Sequence, residues 1–128
     1  MAKKKEKSKK LSSMATWEKW ESMNFVVPAE ILLNNSLTKS DIRVYIIVSN
    51  LTHKKGFCWA SNDYIAKLLD ISVRQVEYSI RNLRVFKYII CGYRSKNNNT
   101  QRYIFDNFKA KKIADFKSEY EDFTEEYC

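Results

Sequence analysis

The chain has 128 residues, the length of one small domain with short flanking segments. It is 45% hydrophobic with 2 Gly and 1 Pro, so it is neither a disordered polymer nor a turn-rich β-sandwich. Its formal charge of +8 favours a polyanionic partner, whereas the single His and two Gly exclude a His-rich metal site and a Gly-rich phosphate-binding loop.

The N-terminal segment divides into a basic tail and a short helix. Residues 1–11 contain six Lys and one Glu, and such a like-charged run predicts a disordered tail. Residues 12–24 predict a short helix that carries Trp17 and Trp20 on one face, because side chains three apart are neighbours on a helix. This pair is expected to pack on the domain rather than to stack on bases.

Two further helices are predicted next. Residues 28–33 form a short helix with Pro28 in its first turn. Thr38 then caps a helix that continues to residue 51, and Asp41, three positions later, completes a capping box. Because apolar residues lie on more than one face of this second helix, it is predicted to be the central core helix.

A helix, a three-residue break and another helix follow. Residues 57–59 are a brief β-favouring run. Ser61 is the predicted N-cap of a helix over residues 62–69, and Ser72 is the predicted N-cap of a helix over residues 73–85. Two helices joined by so short a turn are typical of the helix-turn-helix arrangement.

The second of these helices has a predicted buried side and an exposed basic side. At about 100° per residue, its aliphatic residues gather on one face and leave the opposite face to Arg74, Tyr78 and Arg81. Arg, Gln and Asn side chains make bidentate contacts to base edges in the major groove, so this is the predicted recognition helix. Its DNA-binding residues are predicted to be Ser72, Arg74, Gln75, Tyr78, Arg81 and Asn82.

A β-hairpin is predicted directly after the recognition helix. Residues 86–94 and 102–106 are β-rich and enclose a polar loop over residues 95–101. A hairpin in this position is a wing, and residues 57–59 are expected to supply its third strand. The residues predicted to contact phosphates or the minor groove are Ser61, Asn62, Lys67, Arg94, Lys96, Asn97, Asn98, Asn99 and Arg102.

The chain is predicted to end in an amphipathic, acidic helix over residues 107–128. Its apolar residues repeat at intervals of three and four, over only about two heptads. Two alternatives stay open: this seam packs on the protein's own domain, or it forms a homodimer that places two recognition helices one DNA turn apart. The seam consists of Ile113, Phe116, Tyr120, Phe123 and Tyr127.

Several motifs between residues 25 and 105 carry a family resemblance. They are FVVPAEIL (25–32), LTKSD (37–41), GFCWAS (56–61) and YIAKLLDIS (64–72), followed by residues 76–83. On these motifs the chain resembles the winged helix-turn-helix domains of plasmid and phage replication initiators, replisome organisers and related small regulators. The resemblance implies a mainly α fold with a small β-sheet, a winged helix-turn-helix domain over residues 25–106 and double-stranded DNA as partner.

Two departures from the family affect the expected role. The usual glycine between recognition helix and wing is replaced by Phe86 and Lys87, and no second domain is expected after the wing. These departures favour a compact accessory protein or regulator over an autonomous initiator.

The sequence predicts no enzyme, no metal and no cofactor. Three cysteines without a CxxC spacing indicate a reducing compartment, with Cys58 and Cys91 in the core. No apolar stretch approaches the roughly 20 residues of a membrane span. The predicted function is therefore a cytoplasmic, site-specific DNA-binding protein of a plasmid or phage in a bacterial host, acting in transcription regulation, replication or DNA transfer. The alternative is a protein–protein module that inhibits or recruits a host protein.

Overall fold

The computed structural model describes residues 19–96, 99–109 and 124–126. It shows a mainly helical fold with a small antiparallel sheet. Within these ranges no helix is both long and apolar enough to cross a membrane. The helices are α1 (Ala29–Leu32), α2 (Lys39–Lys55), α3 (Asn62–Leu69) and α4 (Val73–Val85). The strands are β1 (Ile89–Lys96), β2 (Asn99–Asp106) and β3 (Thr124–Glu126), and a 3-10 helix, Asn107–Lys109, follows β2.

Helix α2 is the centre of the fold, as its apolar pattern predicts. The Asp41 N–H donates to Thr38 Oγ1 at 3.2 Å and the Thr38 N–H donates to Asp41 Oδ2 at 2.9 Å, which confirms the capping box. Gly56 ends the helix in a left-handed conformation with φ of 86°. The helix packs against α3, α4 and β2. Its buried apolar residues are Val44, Tyr45, Ile47, Val48 and Leu51.

Helices α3 and α4 form the predicted helix-turn-helix. Ser61 and Ser72 are their N-caps, since each hydroxyl oxygen accepts the backbone N–H three residues later. In the turn, Asp70 adopts a left-handed conformation with φ of 56°, and the Ile71 N–H donates to the Ala66 carbonyl at 3.0 Å. Ile71 also packs against the core, so hydrogen bonding and packing together fix the angle between the two helices.

Strands β1 and β2 form the wing hairpin, which is longer than predicted. Their register runs from Ile89 opposite Asp106 to Lys96 opposite Asn99. Most of the polar segment predicted as a loop is therefore strand, because pairing with β1 extends the ladder through residues of low intrinsic β-propensity. Residues 86–88 are a turn and not strand, and Lys87 adopts φ of 61° there.

The third strand of the sheet is β3, and the prediction for residues 57–59 is wrong in this respect. Strand β3 pairs antiparallel with β1, which gives the order β2-β1-β3. Cys58 makes only an isolated bridge to the other edge, exchanging two backbone hydrogen bonds with Ile104 at 2.6 and 3.2 Å. The chain then leaves at once for α3, so the pairing stops at one residue.

The helix predicted over residues 107–128 is absent at both of its described ends. A 3-10 turn occupies residues 107–109, and β3 occupies residues 124–126. Pairing with β3 satisfies the backbone N–H and C=O groups along an edge of β1 that would otherwise be open. The spacing of apolar residues in the sequence does not reveal this pairing, because the pairing depends on a distant strand. The seam residues Ile113, Phe116, Tyr120, Phe123 and Tyr127 lie outside the described residues, as does the predicted basic tail.

The short N-terminal segment packs through Trp20. The Trp20 Nε1–H donates to the Tyr64 hydroxyl at 3.0 Å, and the indole stacks on Phe25 with ring centroids 6.0 Å apart. Trp20 is also packed against the core. The predicted packing role is therefore confirmed for Trp20, while Trp17 lies outside the described residues.

The sheet has two faces with different neighbours. The inner face packs on the helices, and its buried apolar residues are Ile89, Cys91 and Ile104. The outer face carries a second cluster formed by Tyr103, Phe105, Phe57 and Ile90. Cys58 and Cys91 are buried, and burial raises the pKa of Cys58 to about 11, as expected for a core thiol rather than a nucleophile.

A buried carboxylate joins the sheet to α2. Asp106 Oδ2 accepts hydrogen bonds from the hydroxyls of Tyr45 and Ser49, each at 2.7 Å, and Oδ1 accepts the Phe108 N–H at 2.9 Å. Burial, and then the hydrogen bond to Asp106, raise the pKa of Tyr45 far above its ordinary value. The phenol is thus a permanent donor, and the network fixes the base of the wing against the core.

Candidate nucleic-acid interface

Helix α4 presents a basic face to solvent, opposite the side that it buries. The buried side consists of Val76, Ser79, Ile80 and Leu83. The opposite side carries Arg74, Tyr78 and Arg81, which are exposed as predicted and are called here the exposed stripe. The Arg74 guanidinium carbon lies 5.9 Å from the centroid of the Tyr78 ring, a cation–π contact that holds these two side chains together.

The exposed stripe forms part of an open groove along α4. The groove residues are Arg74, Glu77, Tyr78, Arg81, Arg84 and Val85. Arginine donates to guanine O6 and N7, whereas glutamate accepts from cytosine N4. The described residues of the groove therefore combine arginine donors with one carboxylate acceptor and a tyrosine hydroxyl, a composition suited to the edges of base pairs.

The remaining predicted residues of α4 make contacts within the protein. Asn82 is half-buried, and its Nδ2–H donates to Asp41 Oδ2 at 3.2 Å, which ties α4 to the capping box of α2. Gln75 is half-buried beside the helix start, and its N–H donates to Ser72 Oγ at 3.0 Å. The hydrogen bond to Asp41 gives Asn82 a contact within the protein, which the helical angle alone does not indicate.

Replacing Ser72 with alanine removes the N-cap of α4. We expect the free energy of unfolding to fall by about 1 kcal/mol, because one backbone N–H of the first turn loses its acceptor. Urea denaturation followed by circular dichroism measures this change. Ser72→Asp is the control, since aspartate also caps well; equal losses for both variants would contradict a capping role.

Predicted phosphate contacts on α3 lie at its exposed start and along its outer side. Ser61 is exposed and caps the helix, and Asn62 follows it half-buried. Lys67 is exposed, and its Nζ lies 3.0 Å from Asp63 Oδ2 one turn earlier. An exposed ion pair of this kind contributes only about 0.3–0.5 kcal/mol, so Lys67 can exchange its carboxylate for a phosphate at little cost.

The wing residues fall into three groups. Arg102 is half-buried, and its Nη2–H donates to the Ala60 carbonyl at 3.0 Å, so it links the wing to the start of α3. Arg94 is half-buried on β1, and Lys96 and Asn99 form the last pair of the hairpin. Asn97 and Asn98 lie outside the described residues.

Two exposed residues near α3 and α4 are not predicted as site residues from the sequence. Arg43 on α2 is exposed, and its Nη2–H donates to the Leu69 carbonyl at 3.2 Å, which places a positive charge beside the end of α3. Val73, at the start of α4, is 40% exposed and is suited to contact a thymine methyl group. Arg43 is distant in sequence from the helix-turn-helix, so only the packing of α2 on α3 reveals it.

The described part of the chain holds no group of three or more His, Cys, Asp and Glu side chains arranged to bind a metal.

Comparison with known proteins identifies the helical part of this fold. Residues 34–89 match the family model described as a helix-turn-helix domain, a range that contains α2, α3 and α4 and ends at the first residue of β1. Comparisons with curated proteins and with solved structures give no match. The matched helices, together with the hairpin that follows them, make this a winged helix-turn-helix fold.

Proposed function

We propose that this chain is a site-specific double-stranded DNA-binding protein that inserts α4 into the major groove and places the wing against the adjacent backbone. The exposed stripe is the observation that carries the proposal. Its donors project from a helix that is fixed by the Ser72 cap, by the contact of Asn82 with Asp41 and by a buried apolar side. These contacts fix the position of α4, and a fixed helix is needed to hold its exposed side chains at the positions of the base edges.

The spacing of the stripe fits a short run of base pairs. Arg74 and Arg81 are seven residues apart, which is about 10 Å along a helix that rises 1.5 Å per residue. This distance corresponds to about three base-pair steps of 3.4 Å. Tyr78 lies between the two arginines and offers an apolar ring to the intervening pair. We therefore propose that one α4 helix contacts a core site of about three to four base pairs.

The cellular role that we propose is regulation of transcription, or an accessory role in replication or DNA transfer, for a plasmid or phage in the bacterial cytoplasm. The resemblance to initiator and regulator domains supports this setting.

Fluorescence anisotropy tests the proposal. The probes are duplexes that tile the DNA flanking the protein's own gene, and a scrambled duplex of equal composition serves as control. We expect one flanking fragment to bind tightly at physiological salt while the scrambled duplex does not. Equal, weak binding to all duplexes would contradict site-specific recognition, and affinity capture of a protein partner would then test the alternative of a protein–protein module.

The salt dependence of the same complex should show how many phosphates it contacts. If six to eight phosphates are neutralised, the logarithm of the affinity should fall with the logarithm of salt concentration at a slope of roughly −5 to −7. Titrations of the tightest fragment between low and physiological salt measure this slope. An affinity that does not change with salt would be inconsistent with backbone contacts by the wing and α3.

A further inference from the structure

The groove along α4 contains an acidic side chain among its arginines. Glu77 is exposed and lines the groove together with Arg74, Arg81 and Arg84. At about 100° per residue, Glu77 lies about 60° from Arg74 and about 40° from Arg81 around the helix, so it belongs to the same side of α4 as the exposed stripe. Insertion of α4 into the major groove therefore brings this carboxylate to the base edges, close to the negatively charged backbone.

The Glu77 carboxylate is not used to stabilise the helix. Glu77 precedes Arg81 by four residues, an order that favours ion pairs on a helix surface. Among the residues that the structure describes, none forms an ion pair with Glu77 or with Arg81. The Arg74 guanidinium lies instead 5.9 Å from the centroid of the Tyr78 ring. The carboxylate and the neighbouring guanidinium groups are thus available to a ligand.

The four bases differ in what they offer to a carboxylate in the major groove. An ionised carboxylate only accepts hydrogen bonds. Guanine presents two acceptors, and thymine presents one acceptor and a methyl group, so neither base can donate to it. Adenine presents an amino donor, but its N7 acceptor lies beside that donor and repels the second carboxylate oxygen. Cytosine presents the N4 amino donor without an acceptor beside it, and it is therefore the base that fits Glu77 best.

We propose that Glu77 specifies a cytosine in the DNA site, close to guanines that Arg74 and Arg81 contact. This inference rests on the proposed function and deepens it, because it names the class of site. Along the helix, at 1.5 Å per residue, Glu77 lies about 4.5 Å from Arg74 and about 6 Å from Arg81. Base pairs are about 3.4 Å apart, so the cytosine lies within about two steps of each guanine. The core site is therefore rich in G·C pairs.

The same carboxylate also acts against other DNA sequences. Where a base other than cytosine occupies its position, Glu77 loses water without gaining a donor, and an unpaired charge bears the full cost of desolvation. The nearby phosphates repel it as well. Unfavourable contacts with the wrong partner are a general source of specificity. Glu77 therefore weakens the nonspecific binding that the basic side chains of the interface provide through the phosphates alone.

Selection from a duplex library tests the proposal. The full chain is incubated at physiological salt with duplexes randomised over about ten base pairs, one helical turn, and the bound duplexes are sequenced. The wild-type chain should enrich a site that contains a strongly preferred cytosine. Glu77→Gln should change that preference to adenine, because glutamine is bidentate to adenine N6 and N7. Glu77→Ala should prefer no base there, and both variants should keep the preferred bases at the other positions.

Anisotropy titrations of the selected duplex measure the size of the effect. Another base in place of the cytosine should weaken the wild-type complex roughly five-fold or more, and it should not weaken the Glu77→Ala complex. A scrambled duplex should bind Glu77→Gln more tightly than the wild-type chain, because a negative charge has been removed. Glu30→Gln is the matched control: it makes the same change at an exposed residue of α1 and should leave every base preference unchanged.

The possible outcomes separate this inference from the proposed function. If the wild-type chain enriches a site and both Glu77 variants enrich the same site with the same cytosine, the inference is overturned while site-specific binding stands. If the wild-type chain enriches no site, both are overturned. Lower unfolding temperatures of the variants with unchanged base preference would indicate a purely structural role of Glu77 and would likewise overturn the inference.

Discussion

Replacing Arg81 with alanine is expected to weaken binding to the cognate DNA site by about 1–3 kcal/mol, which is roughly five-fold to more than a hundred-fold in affinity. Arg81 is exposed on the face of α4 opposite the buried side chains, and a bidentate arginine–guanine contact contributes energy of this size. Binding to a scrambled duplex should change much less. Base preference should relax at one position of the site, as measured by anisotropy against a set of single-base variants.

Two controls separate base recognition from charge. Lys54 is exposed on α2, outside the helix-turn-helix, and its Nζ lies near Met23. Lys54→Ala removes the same charge as Arg81→Ala and should leave base preference unchanged. Lys96→Ala, at the end of the wing ladder, should weaken cognate and scrambled duplexes alike, because a phosphate contact carries no sequence information. If Arg81→Ala also weakened both duplexes equally, α4 would not be the helix that recognises bases, and the wing would be the dominant contact.

Replacing Asp106 with alanine is expected to lower the free energy of unfolding by about 3–5 kcal/mol, because three donors lose an acceptor; this is a large part of the total stability of a small domain. The change removes the carboxylate that accepts from the Tyr45 and Ser49 hydroxyls and from the Phe108 N–H. Buried donors that lose their acceptor retain the full cost of desolvation. Urea denaturation at pH 7, with the midpoint and slope fitted separately, measures the loss.

Ser49→Ala is the matched control for this prediction. It removes one donor and leaves the carboxylate with its Tyr45 and Phe108 partners, so the loss should be only about 1–2 kcal/mol. If Asp106→Ala cost no more than Ser49→Ala, the network would not be what anchors the base of the wing. Both variants should keep their base preference, because neither residue belongs to the exposed stripe.

The helical half of the fold could be predicted because its signals are local. Thr38, Ser61 and Ser72 each cap a helix through a hydrogen bond to a residue three positions away, and that spacing is visible in the sequence. The exposed stripe follows in the same way, since the angle around a helix depends only on residue number.

The features that the sequence does not reveal depend on contacts between residues that are distant in the chain. The identity of the third strand depends on which segment reaches the edge of β1, and that segment is β3 rather than residues 57–59. Asn82 is predicted to recognise bases because its angle is close to the exposed stripe, and the structure adds a hydrogen bond from its amide to Asp41, forty-one positions earlier. Arg102 is predicted to contact a phosphate, and the structure adds a hydrogen bond from its guanidinium to the Ala60 carbonyl.

The hydrogen bond from Arg102 to Ala60 also links the wing directly to the start of α3, so that a displacement of one element acts on the other. Ala60 immediately precedes the cap of α3, so a force on the hairpin is transmitted to the point where α3 begins. A phosphate that draws the wing inward will therefore move the α3 terminus with it. Affinity losses from substitutions in these two elements should be non-additive in a double-mutant cycle, although Arg102 and Ala60 are 42 residues apart in the chain.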